Sequence, residues 1–298
     1  MSTPGLAPKQ VSVLDLARKK EQGQPITMLT AYDYPTARAM DAAGLDVILV
    51  GDSLGMVVLG YSSTLPVTME EMLHHCKAVA RGASRALLVG DMPFLSYQVS
   101  IPEAVRNAGR FLQEAGMGAV KLEGGQEMVP TIQGIVAAGI PVMGHIGLTP
   151  QSVHKLGGHK PQGRTARAAK RLLEDAQALQ VAGCFALVLE SIPARVAGLI
   201  SRRLTIPTIG IGAGSDCDGQ VLVTHDLLGL FDRFTPRFVR KYASFYEEMA
   251  RAFEAYRQDV ERHSFPAPEH TVDLPEPEWQ ALQASLEEPE GKPARDLT

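Results

Sequence analysis

Basic residues are not in surplus. The 298-residue chain carries 29 Lys and Arg against 33 Asp and Glu, a formal charge of -4 at pH 7. A nucleic-acid binder normally shows a strong basic bias, so no polyanionic partner is implied. Cysteine is scarcer still: Cys76, Cys184 and Cys217 are odd in number and far apart. Without a CxxC pair they suggest neither a disulfide framework nor a zinc knuckle. No apolar run approaches the ~20 residues that span a bilayer. The opening MSTPGLAPKQVSVLDLARKKEQGQP lacks the unbroken apolar core of a signal peptide. No GxSxG nucleophile elbow occurs. These gaps leave the expectation of a soluble, cytoplasmic protein with neither nucleic acid nor membrane as a partner.

Hydrophobic residues make up 45% of the chain and charged residues 21%, which excludes wholesale disorder, a coiled coil and a collagen-like fibre. The charge is uneven. Nine acids stand against three bases from Glu261 to Thr298, whereas residues 1–260 are nearly neutral, with 24 acids and 26 bases. Composition changes at the same place. HSFPAPEHTVDLPEPEW and EEPEGKPARDLT are rich in Pro and Glu, so residues 263–298 are expected to be a mobile tail behind a single catalytic body at 1–262. Within that tail, Glu278–Leu286 could form a short helix.

Short apolar segments recur through the body: ITMLTAY (26–32), DVILVGD (46–52), RALLVGD (85–91), GAVKLEG (118–124) and IPVMGHIG (140–147), then CFALVLES (184–191), IPTIGIGAG (206–214) and QVLVT (220–224). Such runs suit strands buried on both faces, as in a parallel sheet. MEEMLHHCKAVARG, IPEAVRNAGRFLQEAG and RTARAAKRLLEDAQALQVAG lie between them with apolar residues at helical spacing. Eight strands alternating with helices predict a (β/α)8 barrel with a short N-terminal helix. A Rossmann sheet would place a Gly-rich turn after strand one, but that strand ends in Tyr32-Asp33-Tyr34-Pro35. Only SDCDG separates the last two strands, too short for a crossover helix, so the barrel is expected to be irregular there.

Barrel enzymes carry their chemistry at the C-terminal ends of the strands. Strands two and three both close on the tetrad LVGD, ending in Asp52 and Asp91. Equivalent positions on neighbouring strands should bring the two carboxylates to one level. They would repel unless a proton or cation lay between them, and hard oxygen donors suit Mg²⁺. The plainer alternative is that each Asp caps the helix after its strand. Strand four supplies Lys121 and Glu123, two residues apart and therefore on one face. They are either a buried ion pair, or Lys121 neutralises a substrate carboxylate while Glu123 holds a metal-bound water. Glu190, ending strand six, is a candidate general base. His145, ending strand five, is assigned to substrate contact. Gly210-x-Gly212-x-Gly214 is no dinucleotide fingerprint, since no adequate helix follows; it allows a ligand's close approach or makes a tight bend. Loop 154–164, HKLGGHKPQGR, suits a mobile cover. His74, His75, His154 and His159 match no metal spacing and read as surface residues.

TAYDY (30–34), VGDSLGMVVLG (50–60), STLPVTMEEM (63–72), DMPF (91–94), VKLEGG (120–125), GHIGLTPQS (144–152), GGHKPQGR (157–164), LVLESIP (187–193) and IGIGAG (209–214) occur in this order. With them the sequence resembles the ketopantoate hydroxymethyltransferase family over roughly residues 10–270. The resemblance implies a metal-dependent barrel of the phosphoenolpyruvate/pyruvate superfamily. It also implies hydroxymethyl transfer from 5,10-methylenetetrahydrofolate to α-ketoisovalerate, on the route to pantothenate and coenzyme A. On matching residues it implies Mg²⁺ at Asp52 and Asp91, with Glu123 beside it through solvent. Keto-acid contacts would come from Asp52, Ser53, Asp91 and Lys121, with Glu190 as proton acceptor. A homo-oligomer, a decamer in the family, is implied too. Where the family's loop usually reads GGxKVQG, this chain has Pro161, which stiffens the loop and removes a backbone donor. The tail beyond about His270 passes the usual family end.

Two rivals share the barrel. A superfamily lyase or phosphonate mutase commonly carries a Cys-bearing loop of KKCGH type, whereas the corresponding region reads GHIGLTPQSVHKLGG, without Cys. A noncatalytic keto-acid-binding barrel should have lost a rim carboxylate, yet Asp52, Asp91, Glu123 and Glu190 are all present.

Overall fold

The computed structural model of the chain describes residues 9–158 and 160–287. Residues 1–8 and 288–298 and His159 lie outside the described residues, as do the surface reading of that histidine and the last part of the expected tail. Eight parallel strands close into a barrel in chain order. They are β1 (Ile26–Thr30), β2 (Val47–Val50), β3 (Leu87–Asp91), β4 (Ala119–Glu123), β5 (Val142–Gly147), β6 (Ala186–Glu190), β7 (Thr208–Ile211) and β8 (Gly219–Leu222). Seven fall within an apolar segment expected to be a strand, and β8 begins one residue ahead of QVLVT, at Gly219.

Alternation along the strands separates two apolar cores. Val47 and Leu49, Leu87 and Val89, Ala119, Met143, and Ala186 and Val188 point into the barrel, where Leu16 from the N-terminal helix closes the lower end. The intervening Ile48 and Val50, Leu88, Val120 and Leu122, Val142, and Leu187 and Leu189 pack outward against the helices. Both faces of β2 to β6 are thus largely dry, which is why those strands read as near-continuous apolar runs.

The helices are α1 (Val13–Glu21), α2 (Tyr34–Ala42), α3 (Leu54–Val57), α4 (Met69–Gly82), α5 (Ile101–Ala115) and α6 (Val129–Ala137), then α7 (Val153–Leu156), α8 (Ala166–Val181), α9 (Ala194–Arg203) and α10 (Thr224–Leu227). Local signals start them. Ser12 and Asp15 form a capping box on α1, as Thr68 and Glu71 do on α4. Asp33, Ser100 and Thr165 cap α2, α5 and α8 with their side-chain oxygens.

Residues 212–218, between β7 and β8, carry no helix. Gly212 has φ +62°, and a β-carbon there would lie 2.6 Å from the Phe238 ring, so the Gly-rich segment is a tight bend. After β8 only the four-residue α10 follows before residue 245. The outer face of β8 and β1 therefore keeps an open groove of about 870 Å³, lined in part by Met28, Leu29, Leu222, Phe238 and Tyr242.

Contacts divide the chain into two compact units, Met1–Ser244 and Phe245–Thr298. The division falls ahead of the compositional change near 262, at the start of helix α11 (Phe245–Glu261), none of whose residues is buried. The same unit contains α12 (Glu276–Glu287), which includes the segment read as a possible short helix. No described helix is long and apolar enough to cross a membrane.

Candidate active site

Inward parity continues past the apolar layers to the C-terminal ends of the strands, and there the side chains turn polar. Above Val89 comes Asp91, above Ala119 come Lys121 and Glu123, above Met143 comes His145, and above Val188 comes Glu190. Lys121 and Glu123 do share a face. Strand pairing places Asp91 beside Lys121, Glu123 beside His145, and Glu190 beside Gly147 and Ile211. Asp91, Lys121, Glu123 and His145 are each 5% exposed or less. The Glu190 side chain, at 16%, stands more open.

Asp52 arrives by another route. The β2–β3 register pairs Val50 with Gly90, so the two LVGD tetrads are offset by one residue rather than level. Strict alternation would send Asp52 outward, but β2 stops at Val50 and the chain turns at Gly51. The turn brings the Asp52 backbone N–H to 3.3 Å from Asp91 Oδ2. Neither aspartate is engaged as a helix cap. Asp91 accepts hydrogen bonds from Lys121 Nζ at 2.7 Å on both oxygens, and Asp52 Oδ2 accepts one from the Gln151 side chain at 2.9 Å. Next to Asp52, the Ser53 hydroxyl lies 2.8 Å from the Tyr32 hydroxyl.

The electrostatics follow from burial and crowding. Desolvation, reinforced by Asp91 and Glu123, pushes the Asp52 carboxyl well above its ordinary range. Burial also raises Asp91 against the opposing charge of Lys121. Lys121 is held firmly protonated, because the surrounding carboxylates outweigh its own desolvation. Burial opposes ionisation of Glu123, but His145 and Lys121 prevail and lower its pKa. His145 lies between Glu123 and Glu190, with one ring nitrogen 3.3 Å from each carboxylate. Desolvation and Lys121 disfavour its charge, yet the two carboxylates carry its pKa up to about 9. Neither nitrogen meets hydrogen-bond geometry, so the attraction is between charges.

Among the described residues no three His, Cys, Asp or Glu side chains form a ready-made coordination cluster. The donor set nevertheless fits a hard divalent cation. Mg²⁺ binds through one or two carboxylates while keeping its waters, and needs no closed cage. Asp52, Asp91 and Glu123 are oxygen donors in a centre where burial and neighbouring negative charge raise the pKa of the Asp52 carboxyl.

Gln151 and Tyr97 join the centre without a sequence signal of their own. Gln151 is 5% exposed and Tyr97 1%. The Gln151 main-chain N–H donates to Glu123 Oε2 at 3.0 Å, and the Tyr97 hydroxyl accepts from the Glu123 main-chain N–H at 3.1 Å. Neither residue carries a periodic signal. The one pointer was that Gln151 lies inside GHIGLTPQS. Of the surface histidines, His74 is exposed, but His75 is half-buried with Nδ1 2.6 Å from the Tyr32 carbonyl oxygen. At the strand end, Ser191 turns the chain with φ 48° and its carbonyl accepts from Gln162 N–H, tying the expected cover loop to Glu190's neighbour.

Fold and site together define a barrel enzyme with a buried acidic centre at the C-terminal mouth. The chain belongs to the ketopantoate hydroxymethyltransferase family, whose model matches residues 10–268. It is 60% identical over 262 residues to 3-methyl-2-oxobutanoate hydroxymethyltransferase of Moorella thermoacetica, covering 88% of this chain and 97% of that protein. It is 58% identical over 269 residues to the enzyme of the same name from Oleidesulfovibrio alaskensis, covering 90% and 93%. Among solved structures the barrel is similar to phosphonopyruvate hydrolase (TM-score 0.59, 13% identity, 93% of this chain and 96% of that one). It is also similar to phosphoenolpyruvate phosphomutase from Streptomyces platensis subsp. rosaceus (TM-score 0.58, 15% identity, 93% and 96%). At these identities the structural likeness is one of fold.

Proposed function

We propose that the chain transfers a hydroxymethyl group from 5,10-methylenetetrahydrofolate to α-ketoisovalerate, giving ketopantoate, at the strand-end centre of Asp52, Asp91, Lys121, Glu123, His145 and Glu190. The observation that carries this reading is the pairing of a buried, cation-hungry carboxylate group with a separate, more open carboxylate, Glu190, across the same mouth. Asp52 and Asp91 would hold Mg²⁺, with Glu123 beside it through solvent. When bound, the ion supplies Lewis-acid stabilisation of negative charge developing on the keto oxygen.

The chain's own residues account for the rest. The C3 hydrogen of a 2-keto acid is weakly acidic, and Glu190 is the base that removes it to form the enolate. Lys121, held protonated, meets the substrate carboxylate, and the Ser53 hydroxyl, oriented by Tyr32, contacts the keto acid beside it. His145, between Glu123 and Glu190, contributes positive charge next to the substrate. The enolate carbon then bonds to the one-carbon unit carried by the folate, water supplies the hydroxyl as the carbon–nitrogen bond to the folate breaks, and tetrahydrofolate leaves with the proton on its nitrogen. Three cysteines without a disulfide suit the reducing cytoplasm, where we place the enzyme. A homo-oligomer is supported by exposed Phe245, Met249, Phe253, Tyr256 and Val260 along α11, while the decamer rests on the family resemblance alone.

The test is proton NMR of α-ketoisovalerate with the enzyme in D₂O, with Mg²⁺ and again with excess EDTA. Metal-dependent collapse of the methyl doublet, as C3 takes deuterium, is the expected result. No exchange with Mg²⁺, with or without tetrahydrofolate, overturns the assignment.

A further inference from the structure

Three acidic side chains and one amide meet where β2, β3, β4 and the loop after β5 converge. Gln151 engages both ends of its side-chain amide and its main-chain N–H there. Its side-chain nitrogen donates to Asp52 Oδ2 and to the Met92 carbonyl, both at 2.9 Å. Its side-chain oxygen accepts from the Tyr97 hydroxyl at 2.7 Å, and its main-chain N–H donates to Glu123 Oε2. A phenol has one proton to give. Of its two acceptors the Gln151 amide oxygen is the nearer, at 2.7 Å against 3.2 Å for the Glu123 carbonyl oxygen, and the hydroxyl oxygen itself accepts from the Glu123 N–H. The result is a closed circuit in which Glu123 is gripped at its carboxylate by Gln151 and at its backbone by Tyr97.

The chemistry of position 151 is narrow. It requires two donors towards an acid and a carbonyl, and an acceptor towards a phenol, all without charge. A glutamate would add a fourth carboxylate to the crowd and lose both side-chain donors, and an apolar side chain would leave Asp52 Oδ2 and the Tyr97 hydroxyl without their present partner. Among the described residues no hydrogen bond ends on Asp52 Oδ1. The amide thus ties down one oxygen of Asp52 and leaves the other for a ligand.

We infer that Gln151 is a positioning residue for the cation site, fixing the orientations in which Asp52 and Glu123 present their remaining oxygens, and that Tyr97 sets the direction of its amide. This rests on the proposed cation site. The test uses full-length enzyme with Mn²⁺ as probe, without keto acid or folate, and reads free Mn²⁺ by electron paramagnetic resonance. Gln151→Met keeps the volume and removes the amide. A Kd for Mn²⁺ raised fivefold or more in the folded variant supports the inference, because a hydrogen bond to a charged group is worth about that factor or more. A smaller change overturns it, even with a lowered melting temperature, since a purely structural role costs stability without touching affinity. Should Gln151→Met not fold, Tyr97→Phe, which deletes only the hydroxyl, decides by the same fivefold criterion. A wild-type protein that leaves all Mn²⁺ free would overturn the cation site itself, and this inference with it. Tight wild-type binding with an unaltered variant would overturn this inference alone.

Discussion

Residue identity at the barrel mouth decides what can be done there. Glu190 and Asp91 are both carboxylates at strand ends, yet one stands open and the other is locked to Lys121. Glu190→Gln should therefore bind the keto acid within about threefold of wild type while deuterium exchange slows by about 10²–10⁴, the usual worth of a positioned base. Retained exchange would move the base elsewhere. Asp91→Ala should weaken Mg²⁺ dependence and turnover together, by about tenfold or more, since it would remove a proposed ligand and strand a buried Lys121. An unchanged metal titration would sink its role as a ligand. Asp226 offers a pH test of stability. Burial raises its carboxyl from 3.8 to about 6. A raised acid contributes stability below its unfolded pKa and loses it as pH climbs through about 6. Asp226→Asn should thus leave stability unchanged near pH 3.5 and gain about 1–2 kcal/mol at pH 7.5, after allowance for solvent screening. Urea unfolding at the two pH values measures this, and equal stabilities at pH 7.5 would contradict it.

Strands and helices were the most legible scale. Apolar runs with both faces dry, capping boxes and glycine stops carry strong local signals, and each expected strand is found. The polar strand ends were readable as well, because alternation by two needs no tertiary information. What the tetrad could not reveal was the offset between β2 and β3, which barrel closure imposes. Gly90 shows how tightly that closure is packed: a β-carbon there would lie 2.4 Å from the Phe111 ring of α5. Gly90→Ala should cost about 1–3 kcal/mol by overpacking. It should also lower activity, since Asp91 is the next residue. Calorimetry beside the exchange assay checks both, and a variant as stable as wild type would show that the ring yields.

At the scale of the whole molecule, the family match ends at residue 268, and α12 has no buried residue. Ending the chain after residue 274 should leave Mg²⁺-dependent exchange within about twofold of wild type. A folded but inactive truncation would give the tail a role in the chemistry. By itself the sequence determined the class of fold and the kinds of group gathered at its mouth, because hydrophobic period, caps and strand-end chemistry are written in neighbouring residues. Only the tertiary structure decided how those groups are paired. Lys121 with Asp91, His145 between two carboxylates, and Gln151 reaching Asp52 from 99 positions along the chain are contacts between different strands or the loops that follow them. They depend on register and on the turn after Val50, and no local pattern encodes either.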